Sequence, residues 1–296
     1  MITAPPTLAL AADFLLDPAE LARTGAFFAG AVALIALAKL ARDLIARSRG
    51  YRLAELVVEK DNIAVGVELA GFLLAMVLGL LGGLVVQGTT WWEQALDLLL
   101  TGTLVLAVLL LNDQLVSRIV LRGVDCDAAV AEHTNLAVAV VRAAGNVATA
   151  LVLRGTLGHD SPLGERLVWV LIGQAALVLL SLAYQALTPY DDVAEVRRKN
   201  LAAALPMAGV LLAVGVVVEA AVSGEGAGWG ADLLSLAFDL AVSAALVVLL
   251  RWGAAKLLLP GARFSDEIAR DKNAGVGLVE GVACLAAGLT VAYFLN

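Results

Sequence analysis

Residues 197–222 read RRKNLAAALPMAGVLLAVGVVVEAAV. Three cations and an asparagine (Arg197, Arg198, Lys199, Asn200) open an apolar run from Leu201 to Val222 in which Glu219 is the only charge. A hydrocarbon core is crossed by ~20 apolar residues at about 1.5 Å per residue. Lipid cannot solvate a bare peptide group, so a run of this kind must close its own hydrogen bonds as a helix. The alternating pattern of a membrane barrel is absent. Working outward, comparable runs occupy Ala26–Ala41, Ile63–Val86, Leu98–Leu111, Leu167–Leu187, Leu233–Leu250 and Ala274–Leu295. The whole 296-residue chain is 61% hydrophobic and 16% charged, with mean hydropathy +0.90. Soluble domains carry far more charge and less apolar surface.

The motif that opens this run occurs four times. Val58–Ala64 (VEKDNIA), Ala131–Ala137 (AEHTNLA), Val196–Ala202 (VRRKNLA) and Arg270–Gly275 (RDKNAG) each place charged or polar residues, then Asn, then small apolar residues. Asn200 lies 138 residues after Asn62, and Asn273 lies 138 after Asn135. The same offset pairs Trp91 with Trp229 and Arg118 with Lys256. Equal offsets mark an internal repeat. The sequence therefore predicts an all-α integral membrane protein of about eight transmembrane helices, arranged as four parallel-repeat hairpins by tandem duplication. The expected helices are 26–46, 62–87, 94–119, 135–154, 166–187, 200–222, 231–257 and 273–295. Asn112 and Asp113 are expected to interrupt the third. Residues 1–25 read as an exposed lead-in without a basic signal-peptide start, 26–158 as a first four-helix unit and 159–296 as a second. Pro189–Asp192 and Ser265–Glu267 carry helix-start signals for short helices between the long ones.

Basic residues orient the bundle. Fifteen Lys and Arg fall in or beside the loops after the odd helices, against Arg23, Arg154 and Arg166 on the other side. The basic side is expected to be cytoplasmic, with both termini outward and Trp91, Trp92 and Trp229 at the outer interface.

Leu187-Thr188-Pro189-Tyr190-Asp191-Asp192, followed by Asn200-Leu201-Ala202-Ala203-Ala204, closely resembles the first hairpin of the domain-of-unknown-function 350 family of bacterial inner-membrane proteins. Leu259-Pro260 followed by Lys272-Asn273-Ala274-Gly275-Val276-Gly277 looks like its second. The resemblance covers 167–296 closely and 26–158 more weakly, since the first half lacks the Thr-Pro pair. It implies two fused family units in a bacterial inner membrane and carries no biochemical activity with it. Fused and unfused members together imply assembly, so a homo-oligomer is one expected partner, although the fusion can itself supply it. Members' gene neighbourhoods link them to envelope stress.

Two residue sets stand out. Asn62, Asn135, Asn200 and Asn273 are N-caps by position; alternatively, the four amides ring a cytoplasmic mouth where helix N-termini favour an anion. Glu68, Arg142 and Glu280 lie six or seven residues inside their runs, and Arg142 and Glu280 are related by the same 138-residue offset. A charge in lipid costs ~3 kcal/mol and seeks a partner or a wet cavity. These three are expected to meet as a buried charge cluster, either as a structural ion pair or as part of an ion path. Asp97 and Asp239 are secondary intramembrane carboxylates outside that offset.

No hydrolase elbow, P-loop, zinc-protease motif or His/Cys ligand set occurs in the sequence, so neither enzyme activity nor a cofactor or metal is expected. A net charge of −7 argues against nucleic acid. Partners are then the lipid bilayer and, beside a homo-oligomer, a cytoplasmic protein. The function expected is permeation or binding of an ion or small solute along a pseudo-symmetric bundle. The alternative is a scaffold whose basic side docks a soluble envelope-stress partner.

Overall fold

The computed structural model describes residues 18–83, 90–158, 162–223, 227–257 and 263–294. Those residues contain helices and no strand. Their order repeats four times as long, short, long: α1 (Pro18–Ser48), α2 (Leu53–Val58), α3 (Ile63–Gly83); α4 (Trp91–Leu115), α5 (Cys126–Ala131), α6 (Leu136–Leu157); α7 (Leu163–Leu187), α8 (Asp192–Arg197), α9 (Leu201–Ser223); and α10 (Trp229–Leu257), α11 (Phe264–Ala269), α12 (Ala274–Phe294). All eight long helices are long and apolar enough to cross a membrane.

Small residues decide which helices meet. The second long helix of each group packs extensively on its successor, in the order α3, α6, α9, α12. Gly209 of α9 lies against the Gly281 backbone of α12, and Gly277 against the Ala202 backbone, so close that a Cβ at either position would collide with main chain. Gly71 meets Ala143, and Gly215 meets Ala148, in the same way. This is small-residue packing of membrane helices, driven by van der Waals contact at close approach. Burial follows the row: 72% and 78% of the apolar stretches of α6 and α9 are buried, against 44% for α3 and for α12. The four inner helices therefore form an open strip with α3 and α12 at its ends. The first long helices line its sides: α1 on α3 and α4, α4 on α3 and α6, α7 on α6 and α9, α10 on α9 and α12.

Three boundaries differ from the sequence reading. Helix α1 already includes residues 18–25, inside the expected lead-in. Residues 1–17 lie outside the described residues. Asn112 and Asp113 do not interrupt α4; both are buried, their side chains are satisfied by neighbouring helices, and the helix runs on into a π-helical turn over Val116–Val120. Ser265, Asp266 and Glu267 lie within α11, whose cap position is Arg263 without a side-chain bond. Asp191 does cap α8, accepting from the Ala194 amide at 2.9 Å.

Candidate functional site

Each short helix ends in the same turn. The residue before the asparagine takes a left-handed backbone: Asp61 (φ 47°), Thr134 (49°), Lys199 (64°) and Lys272 (52°). Non-glycine residues adopt this region at a cost. It lets the amide of the asparagine return to a carbonyl of the short helix, as Asn62 N does to Leu56 O and Asn135 N to Ala129 O, both at 2.9 Å. Each asparagine then starts the following helix. Asn135 Oδ1 accepts from Val138 N at 3.2 Å, Asn62 Oδ1 from Ala64 N at 3.1 Å, Asn200 Oδ1 from Ala202 N at 3.1 Å and Asn273 Oδ1 from Gly275 N at 3.1 Å.

The other end of these side chains does something the sequence left unread. Asn62 Nδ2 donates to the Val130 carbonyl (2.9 Å) and the Ala131 carbonyl (3.2 Å) of α5. Asn135 Nδ2 donates to Val196 O (2.9 Å) and Arg197 O (3.2 Å) of α8. Asn200 Nδ2 donates to Ile268 O of α11 at 2.7 Å and to Glu195 Oε2 at 2.9 Å. Each amide thus clips one group of helices to the next. Because the inner helices lie in a strip, the four amides are strung along it and do not face a common mouth.

The buried charges form two centres. In the first, Glu68 of α3 and Asp113 of α4 share two guanidinium groups. Arg42 of α1 bridges both carboxylates and lies 5.0 Å from the Phe72 ring centroid. Arg142 of α6 reaches Glu68 at 3.2 Å and Asp113 at 3.5 Å, and also Asp127 at 3.1 Å; Arg49 pairs with Asp127. Asn112 Nδ2 donates to Asn146 Oδ1 (2.9 Å), and Asn146 Nδ2 to Asp113 Oδ1 (3.1 Å). Three guanidiniums face three carboxylates. A cavity of about 50 Å³, lined in part by Arg42, Arg49, Glu68 and Asp127, opens beside them.

Glu280 is not part of that centre. It is fully buried on α12, where its Oε1 forms an ion pair with Arg251 Nε of α10 at 2.9 Å and accepts from the Tyr184 hydroxyl of α7 at 3.1 Å. Nearby, Thr188 Oγ1 donates to Asp192 Oδ2. Glu280 Oε2, Asp192 Oδ1 and the Tyr190 hydroxyl are all buried without a hydrogen-bond partner. Buried polar atoms of this kind normally have one. Asp192 lies on a short helix outside the long spans; burial pushes its carboxyl up to about 7, with Thr188 opposing and the Glu280 charge adding to the rise. Burial, reinforced by Asp192 and Glu280, likewise raises the Tyr190 phenol. A cavity of about 260 Å³, lined by Tyr184, Ser243 and Arg251 among apolar residues, adjoins this centre.

The two centres are related by the repeat. Arg251 lies 138 residues after Asp113, and Glu280 lies 138 after Arg142. The same pair of positions makes an ion pair in both halves, with opposite polarity. The third sequence candidate, Glu68, corresponds to Pro206 in the second half, buried inside α9, so no second carboxylate can stand there. The sequence reading missed Arg42, Asp113, Arg251, Tyr184, Tyr190 and Asp192. Applying the 138-residue offset to every ionisable residue would have found Asp113 and Arg251. Of the secondary carboxylates, Asp239 is buried on α10 and Asp97 is half-buried on α4. No cluster of His, Cys, Asp and Glu suited to a metal occurs among the described residues. Cys126 and Cys284 are both buried and unbridged.

Eight apolar spans with ionised groups sequestered between them define a multi-pass helical membrane protein. The chain belongs to the family described as Domain of Unknown Function (DUF350), whose model matches twice, over residues 15–157 and 160–295. The two matches fit two fused family units. No curated protein and no solved structure matches the chain.

Proposed function

We propose that the protein is a non-enzymatic, ion-binding protein of a bacterial inner membrane, and that the ion is a proton or small monovalent cation taken up at Glu280. One observation carries this reading: Glu280 Oε2, Asp192 Oδ1 and the Tyr190 hydroxyl are unpartnered, buried oxygens around one guanidinium, Arg251. Two carboxylates against one guanidinium leave one negative charge to be met whenever Asp192 is ionised. In lipid that charge is costly unless a proton or cation meets it. The alternative use, an anion at the asparagine ring, lacks the convergence it needs. A path down a central axis also finds no support in an open strip.

In this reading the four long-short-long groups are parallel-repeat hairpins. The short helices face the cytoplasm with most of the basic residues, and both termini face outward. The exposed Trp91, Trp92 and Trp229 then sit at the outer interface.

The test uses the full chain reconstituted in liposomes. A hydrophobic carbodiimide, which attacks a protonated buried carboxyl, is expected to label Glu280 faster as pH falls. If the ion is sodium or potassium, that ion slows the labelling. A Glu280→Gln variant should lose ion uptake and flux. Glu280 left unlabelled, with flux in that variant equal to wild type, would remove the proposal.

A further inference from the structure

The clip that joins successive groups has one more donor than it uses and one more acceptor. Asn62, Asn135 and Asn200 each reach the end of the next short helix. Asn273 has no next group; its Nδ2 donates to Glu267 Oε2 of its own group at 3.0 Å, and the residue is exposed. At the opposite end of the strip, α2 is the one short helix with no preceding group. Among the described residues no side chain bonds to its terminal carbonyls at Val57 and Val58, the counterparts of Val130 and Ala131 five and four residues before the asparagine. Val58 is 75% exposed.

Helix packing tells the same story. The fourth residue after each asparagine is small: Gly66, Ala139, Ala204 and Gly277. In the last three it is buried, and Gly277 lies on Ala202 of the preceding inner helix, the second residue after its asparagine. A Cβ on Gly66 would meet open space. Ala70, in register with Gly281 of the α9–α12 junction, is exposed too. At the far end, Gly275 occupies the register of Ala202 and is exposed. Lipid covering these faces would need neither an amide with a second hydrogen to give nor a small-residue register.

We propose that the α12 end of one copy docks on the α2–α3 end of a second copy, repeating the internal junction between chains, with Asn273 clipped over the Val57 and Val58 carbonyls and Gly275 against Gly66. The occupant is another copy of this chain because the surface is the missing half of a junction the chain already makes three times. Val282 stands where the inner helices have Gly71 and Gly209, so the contact closes at the short-helix end and splays toward the other. Head-to-tail contact is heterologous, so it adds copies in one direction until it closes.

The experiment measures the mass of the full chain in lipid nanodiscs of graded size. Wild type is expected as dimers or larger. Gly66→Leu has room in the single chain and raises helix propensity, so it should melt like wild type yet associate at least tenfold more weakly. Asn273→Ala should weaken association in the same direction. Geometry is read by joining Val58→Cys and Asp271→Cys copies with a short bis-maleimide. Mixed copies should cross-link, and neither variant should do so with itself. A monomeric wild type, a Gly66→Leu that associates normally, or cross-links within one variant would each overturn the proposal. Ion uptake at Glu280 is measured in parallel and is independent of these outcomes.

Discussion

The two halves of the chain place an ion pair at the same two positions and differ in everything around it. In the first half, Arg142 sits among Glu68, Asp113 and Asp127, with Arg42 and Arg49 completing an equal count of charges. In the second half the polarity is reversed, Glu280 against Arg251, and three oxygens around it are left without partners. The first centre is balanced in charge, with Arg142 Nε its one buried atom without a hydrogen bond, whereas the second is unbalanced and is the one that the proposed function loads with an ion. Duplication followed by exchange of charge gives one chain both kinds of centre.

The largest expected effect breaks the first centre. Arg142→Met leaves Glu68 and Asp113 buried with half their compensation and should destabilise the protein by about 3–5 kcal/mol, read as a fall in thermal midpoint in detergent. Glu280→Gln, by contrast, removes a charge that lacks full compensation, so its thermal midpoint should stay close to wild type while ion uptake falls. Equal destabilisation by the two variants would erase the distinction between the halves.

A smaller effect separates the clips. Asn62→Ala loses a cap and the buried bonds to α5, a combined ~2 kcal/mol, whereas Asn273→Ala in a single chain loses the cap and one exposed bond to Glu267, ~1 kcal/mol. Chemical denaturation of monomeric samples would order them.

The second centre should also give stability a pH dependence. The Asp192 carboxyl is raised to about 7 from 3.8, so the folded chain holds a proton there that the unfolded chain has released. Its contribution is complete below pH ~4 and is lost as pH rises toward 7. Thermal midpoints measured across that window should decline with pH, and Asp192→Asn should flatten the decline. The smallest effect concerns the left-handed turns. Lys272→Gly relieves a positive φ at an exposed position and should gain about 1 kcal/mol.

Much of the fold could be read from the sequence because lipid leaves few options. Long apolar runs mark spans, and the four asparagines mark the inner helices that begin at them. Arg142 and Glu68 could be found as charges out of place. What stayed hidden was partnership. The sequence put Glu280 with Glu68 and Arg142 because all lie at similar depth, and depth does not say which helices are neighbours. Asp113 and Arg251 lie near the ends of their apolar runs, where a charge can equally well be solvated, so each looked ordinary until its partner was known. The asparagines were read as caps by their carbonyl oxygens, while their amide nitrogens act across a junction that only the order of the strip makes visible.

An open strip has edges, and edges melt. Helices α6 and α9 have inner-row neighbours on both sides, while α3 and α12 have one each. In a monomeric sample, protection of backbone amides from exchange should therefore be graded along the strip, highest at its middle and lowest at the terminal helices. Glu280 lies on one of those terminal helices, so the unbalanced carboxylate sits at the edge of the strip, and under the proposed function brief separation of α12 from α9 would give an ion a way in without a permanent pore.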